Sequence, residues 1–180
     1  MALIITILLK LNLVNEFFIN KDLLFYFIFF ITILLILNLF NLLMLGDAGA
    51  STLSFFVGFL IIKCHNFNPN ISPYFFITLL WYPCFENLFS ILRKLILKKN
   101  PLNPDNSHLH HHIFLFIKSK FKIKSLWANN ISSLIINLFN LIVLYSGSVN
   151  PHNTSLQIQL IFFSIISYTF IYFFLKRLTK

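Results

Sequence analysis

Residues 23–44 read LLFYFIFFITILLILNLFNLLM, with no charged side chain and only Thr32, Asn38 and Asn41 polar. A helix needs about 20 mostly apolar residues to cross the hydrocarbon core of a bilayer. This stretch meets that length, and a soluble domain has no interior in which to bury such a segment on every side.

The rest of the 180-residue chain repeats the pattern. Residues 52–62 form a shorter apolar run after Gly46-Asp47-Ala48-Gly49, and they span if the helix begins near Asp47. Residues 71–89 form another, in which Pro73 suits a helix start and Pro83 is expected to kink or break the helix. Residues 131–145 and 156–175 supply two more. Residues 2–14 are apolar but short and carry Lys10, which fits a trimmed span, an interfacial helix or a signal-anchor. A cleavable signal peptide fits poorly, because no basic segment precedes the run and no small-x-small site follows it. The expected fold class is all-α: a multi-pass transmembrane helical bundle of about five to six spans. Residues 1–180 form a single membrane domain with a basic, His-rich cytoplasmic loop at 91–126.

Composition agrees. The chain is 58% hydrophobic and 11% charged, against roughly a quarter charged in soluble domains. High apolar content also excludes intrinsic disorder. Cys64 and Cys84 make neither a disulfide framework nor a zinc spacing. The net charge of +9 could point to nucleic acid, but eight of the fourteen Lys and Arg fall between Arg93 and Lys124, and three more close the C-terminus. Clustering on alternate loops is the positive-inside pattern, and no nucleic-acid partner is expected. Residues 91–126 and the C-terminal tail are therefore read as cytoplasmic, as is the Gly46-Asp47 turn, whereas 63–72 and 147–155 face outside.

The five acids are Glu16, Asp22, Asp47, Glu86 and Asp105. Glu16 and Asp22 fall in a short outside loop and suit a solvated role. Asp47 stands at a helix junction, where it can cap the next helix or hold a hard divalent cation such as Mg²⁺ at the membrane face. Glu86, Ser90 and Arg93 share one helix face by their spacing. An ionisable group in a span is functional or paired, so Glu86 either serves a site or pairs with Arg93 to staple the helix end. Residues 101–114, PLNPDNSHLHHHIF, carry Asp105, His108, His110, His111 and His112. Imidazoles invite zinc, yet no Cys or acid stands at a recognised zinc spacing nearby. With Arg93, Lys94, Lys98 and Lys99 upstream, the segment suits binding and orienting phosphates; a merely solvated basic loop is the plainer alternative.

Three motifs in order, GDAG at 46–49, YPxxExLFSILRK from Tyr82 to Lys94 and NPxxPDNSHLHHH from Asn100 to His112, resemble one family. It is the polyprenyl-phosphate N-acetylhexosamine-1-phosphate transferases (glycosyltransferase family 4), which includes the phospho-N-acetylmuramoyl-pentapeptide transferases. The wording around Glu86 and Asp105 is most similar to the lipopolysaccharide-type branch. The resemblance implies an enzyme of the bacterial inner membrane. In it, polyprenyl phosphate, usually undecaprenyl phosphate, attacks the β-phosphate of a UDP-N-acetylhexosamine. UMP leaves, and a lipid-linked sugar pyrophosphate forms for O-antigen, peptidoglycan or other envelope polymers. It further implies Mg²⁺ (or Mn²⁺) on Asp47. His108, His110 and His111 are then the loop histidines at the nucleotide or phosphate, with Asp105, Arg93 and Glu86 on the substrate side. The family's adjacent Asp pair on an earlier cytoplasmic loop has no counterpart here. The chain therefore corresponds to the C-terminal half, working with a missing N-terminal half or a homodimer partner, and little activity is expected of it alone. The rival expectations are a non-catalytic membrane scaffold or lipid-binding remnant of the family, and a zinc-handling membrane protein.

Overall fold

A computed structural model describes residues 21–40, 42–43, 46–98, 100 and 107–178. The described residues form helices and turns and no strand. The helices are α1 (Lys21–Leu39), α2 (Gly46–Phe67), α3 (Pro73–Ile96), α4 (Leu109–Phe121), α5 (Ser125–Val149) and α6 (Thr154–Leu178). Within α2, α3, α5 and α6 the apolar stretches are long enough to cross a membrane, whereas the apolar part of α1, Phe25–Asn38, is shorter. The 25 residues of α6 extend about 37 Å at the helical rise, beyond the roughly 30 Å hydrocarbon thickness. The 2–14 segment lies outside the described residues.

Two expectations need correction. Pro83 does not break its helix: α3 runs through it from Pro73 to Ile96. In a membrane helix the freed carbonyl can be satisfied by local adjustment, so proline is tolerated there. The 91–126 stretch is also more than a loop, because it contains the end of α3 and all of α4.

The bundle is apolar outside and partly polar inside, as lipid requires. Phe162, Phe163, Ile166 and Phe170 point outward, while Thr78, Ser132, Gln157 and Ser164 are buried. The buried hydroxyls turn back on their own helices, Ser132 Oγ donating to the Asn129 carbonyl at 2.7 Å and Ser164 Oγ to that of Leu160 at 2.7 Å. This satisfies them without a partner helix.

The chain divides into two compact units. The first, Met1–Phe76 with Ser148–Thr154, pairs α1 with α2, where the Phe27 and Phe56 rings lie 4.3 Å apart. Val57, Leu60, Ile61 and Cys64 are buried along α2 at the spacing of one helix face. Helix α2 ends where the Asn68 side chain donates to the Cys64 carbonyl at 3.0 Å. The turn that follows is tied to the segment before α6: Ser72 N–H donates to Pro151 O at 3.1 Å and Thr154 Oγ1 to Ser72 Oγ at 3.0 Å.

The second unit, Ile77–Gly147 with Ser155–Lys180, is held by aromatic residues one helical turn apart on two helices. Phe85 meets Tyr168 edge-on at 5.1 Å, and Phe89 meets Tyr172 at 4.8 Å. Trp81 continues the contact to Phe139 at 5.8 Å. Such pairs contribute about 0.5–1.5 kcal/mol each beyond area burial. Gly147 allows a close approach: a Cβ there would stand 3.1 Å from Gln157 Oε1, and Gln157 Nε2 donates to the Gly147 carbonyl at 2.9 Å.

Candidate functional site

The histidine-bearing segment is built into the second unit through α4. Leu109, Ile113 and Ile117 recur every fourth residue and are buried, joining Trp81, Tyr168 and Tyr172 in the core. Lys118 and Lys120 are exposed, and their ammonium groups sit over the rings of Phe114 at 5.6 Å and Phe116 at 5.2 Å. Thirteen residues are too few to span a bilayer. Helix α4 is an amphipathic element packed on the unit's core.

Its first turn is fixed by α3. The first N–H groups of a helix have no partner within it, and His108 at the N-cap position makes no side-chain cap. Glu86 supplies one instead: its Oε1 accepts the Leu109 N–H at 3.2 Å and pairs with His108 Nδ1 at 3.0 Å. A carboxylate at a helix N-terminus also meets the positive end of the dipole. The hydroxyls of Tyr82 and Tyr168 lie beside the same carboxylate.

Arg93 holds the residue before. Its Nη1 donates to the Ser107 carbonyl and to the Tyr172 hydroxyl at 2.8 Å, while Nη2 reaches Ser90 Oγ at 3.5 Å. Glu86, Ser90 and Arg93 thus share the face their spacing gave them, and Glu86 and Arg93 both take partners on the 107–109 segment. The same helix face positions the start of α4 at adjacent points along its chain.

The imidazoles form a ring series. His108 and His110 stack at 5.6 Å with 11° between planes, and His110 and His111 lie 4.8 Å apart at 30°. His112 turns instead to Tyr172, edge-on at 5.1 Å and 89°. Burial, reinforced by His111 and His108 and opposed by Glu86, holds His110 below its ordinary value of 6.5. Burial and then Arg93, Lys176 and His111 do the same for His112. Both therefore favour the neutral form, which can donate one hydrogen bond and accept another.

Among the described residues no three His, Cys, Asp or Glu side chains gather as a metal site, which gives the zinc expectation no support. Magnesium demands near-octahedral oxygen ligation, and the acid with a described side chain, Glu86, is turned to His108 and Leu109. Asp47 lies in the first turn of α2, in the first unit, and its side chain is outside the described set. Asp105 and Glu16 lie outside the described residues, as does the side chain of Asp22.

Sequence reasoning did not reach Tyr172 and Lys176, which surround the same segment. Arg93 and Tyr172 are 79 positions apart, so no local spacing could announce them. The helix at 109–121 was expected as part of a loop, although Leu109, Ile113 and Ile117 keep the spacing of a buried stripe.

No family profile matches the chain, and no solved structure matches it. Over 62 residues, 34% of this chain, it is 40% identical to the undecaprenyl-phosphate alpha-N-acetylglucosaminyl 1-phosphate transferase of Thermotoga maritima. The matched stretch covers 20% of that protein, so the likeness spans only about a fifth of the length of the curated relative. The chain is a multi-helix protein with four helices long and apolar enough to cross a membrane, and it shares a segment with that transferase.

Proposed function

We propose that the chain takes part in transferring an N-acetylhexosamine-1-phosphate from a UDP-sugar to polyprenyl phosphate, in the inner membrane of a bacterium. The observation that carries this reading is the docking of α4: Glu86 and Arg93 hold a run of imidazoles at the basic ends of two spanning helices. The partial likeness to the Thermotoga maritima enzyme supplies the reaction class.

In that reaction an oxygen of the lipid phosphate attacks the β-phosphorus of the UDP-sugar. The bond to UMP breaks with its electron pair leaving on UMP, and a lipid-linked sugar pyrophosphate forms. Phosphoryl transfer depends mostly on positioning and on neutralising charge. His108, His110 and His111 on a fixed helix suit hydrogen bonding to the diphosphate oxygens, and Arg93 adds a permanent charge beside them. Asp47 is the residue proposed to hold Mg²⁺, which when bound withdraws charge from the diphosphate. The Lys and Arg distribution supports a cytoplasmic position for α4.

The test is a chimera in which this chain replaces the corresponding part of the Thermotoga maritima enzyme, assayed in membranes with UDP-N-acetylglucosamine, undecaprenyl phosphate and Mg²⁺. UMP release is expected, falling by about 10²–10³ for each of His108→Ala, His110→Ala and His111→Ala, the range for losing one charge-stabilising donor. A folded chimera that releases no UMP, or one indifferent to all three substitutions and to Asp47→Asn, overturns the proposal in favour of a non-catalytic scaffold.

A further inference from the structure

One face of α5 carries hydrogen-bonding side chains into the hydrocarbon core. Asn129, Ser133 and Asn137 are exposed and recur every fourth residue, so they drift only about 80° around the helix and lie in one stripe. Asn137 stands at the midpoint of the 25-residue helix Ser125–Val149. At the helical rise it is about 18 Å from either end, and the hydrocarbon half-thickness is about 15 Å. Its side chain, unlike the long stem of a lysine, is too short to reach the headgroups from that depth.

Lipid cannot hydrogen-bond such a group, and the helix that carries it can satisfy only part of it. A hydroxyl can donate to a carbonyl of its own helix, as the exposed Thr52 and Ser54 of α2 do at 2.9 and 2.8 Å. A carboxamide can do the same with one N–H, as Asn140 does to the Ile136 carbonyl at 3.0 Å. Its oxygen still needs a donor, and in the middle of a helix each backbone N–H is already given to the carbonyl four residues back. For Asn137 that donor has to come from outside α5.

The chemistry of the stripe selects its partner. A carboxamide is both donor and acceptor, so two copies of the same residue satisfy each other across a two-fold axis. Copies inserted in the same orientation present Asn137 at the same depth, which an unrelated helix matches only if it bears its own polar group there. Exposed Leu134, Leu138 and Leu141 flank the stripe, and the small Ser133 lets two backbones approach.

We propose that the Asn129–Ser133–Asn137 face of α5 pairs with the same face of a second copy of this chain, through reciprocal hydrogen bonds between the two Asn137 carboxamides. The pairing stands apart from the transferase reading: it needs no substrate and uses no residue to which that reading gives a role.

The experiment uses the whole chain, carrying a donor or an acceptor fluorophore at its C-terminus, in phosphatidylcholine vesicles over a range of protein-to-lipid ratios. Energy transfer that saturates and is competed away by unlabelled chain is expected. Asn137→Leu should raise the dissociation constant about tenfold, the loss of the interhelical hydrogen bonds. Asn137→Gln keeps the carboxamide and should stay within about threefold, and Ile166→Val, on the exposed face of α6, should change nothing. Circular dichroism checks that each variant is helical. Cross-linking supplies a second measurement with Asn137 intact: in a Cys84→Ser background, Leu141→Cys should form an intermolecular disulfide when copper phenanthroline is added, and Phe163→Cys of α6 should not. Energy transfer no greater than random proximity at every ratio overturns the proposal and leaves the face to lipid or to a different helix. So does a dissociation constant that Asn137→Leu leaves unmoved, the result expected if Asn137 merely folds back on its own helix, or cross-linking through Phe163→Cys in place of Leu141→Cys.

Discussion

Replacing Glu86 by Ala should release the first turn of α4 while leaving the spanning helices in place. Glu86 Oε1 makes two contacts, to Leu109 N–H at 3.2 Å and to His108 Nδ1 at 3.0 Å, and its side chain is only 12% exposed. Removing the carboxylate leaves a helix N-terminal N–H without its acceptor, at about 1–3 kcal/mol. The lost dipole interaction adds about 0.3–1 kcal/mol. Relaxation of His108, 25% exposed, toward water recovers part of this, so a net loss of about 2 kcal/mol is a reasonable centre. Local opening of the helix should then be about thirtyfold more frequent, at 1.36 kcal/mol per decade. Hydrogen–deuterium exchange of peptides covering 108–117 in detergent reads this directly, with α5 and α6 peptides as internal controls. Glu86→Gln keeps an acceptor but loses the charge, and should fall between, at about fivefold. If α4 exchanges within about twofold of the wild type in Glu86→Ala, the carboxylate does not hold the helix and the docking argument fails.

The apolar stripe of α4 makes a second prediction. Ile113→Ala, which empties a buried site, should cost about 2–4 kcal/mol, whereas Leu115→Ala, at 45% exposure, should change stability little; thermal unfolding in detergent compares them. The histidines make a third. His110 and His112 are held below the ordinary 6.5, so the folded state binds fewer protons than the unfolded one. Their contribution is therefore present above pH 6.5 and is lost as acid carries the pH down through the lowered folded values. Unfolding temperature should fall on acidification below that point, and less so in the His110→Gln, His112→Gln double variant.

How far the sequence reaches is clearest in α3. Its apolar run, its start at Pro73 and the shared face of Glu86, Ser90 and Arg93 were all readable, because each depends on neighbours within a few turns. The passage of the helix through Pro83 was not readable. Whether a proline breaks a helix depends on what surrounds the freed carbonyl, and a one-dimensional pattern does not contain that. Helix α4 was half legible: its buried stripe has the helical period, but the dense histidines and lysines drew attention to chemistry over geometry.

Sequence by itself therefore determined that this is a membrane protein, where its long helices run and which segments carry its basic side chains. Lipid cannot hydrogen-bond a backbone, so a sufficiently long apolar run has to become a helix whatever it packs against. Only the tertiary structure decided that Glu86 grips the histidine helix and that Tyr172 gathers Arg93, His112 and Lys176. Those partners come from helices distant in sequence, and packing between helices, unlike the formation of each one, depends on side-chain shape across the interface.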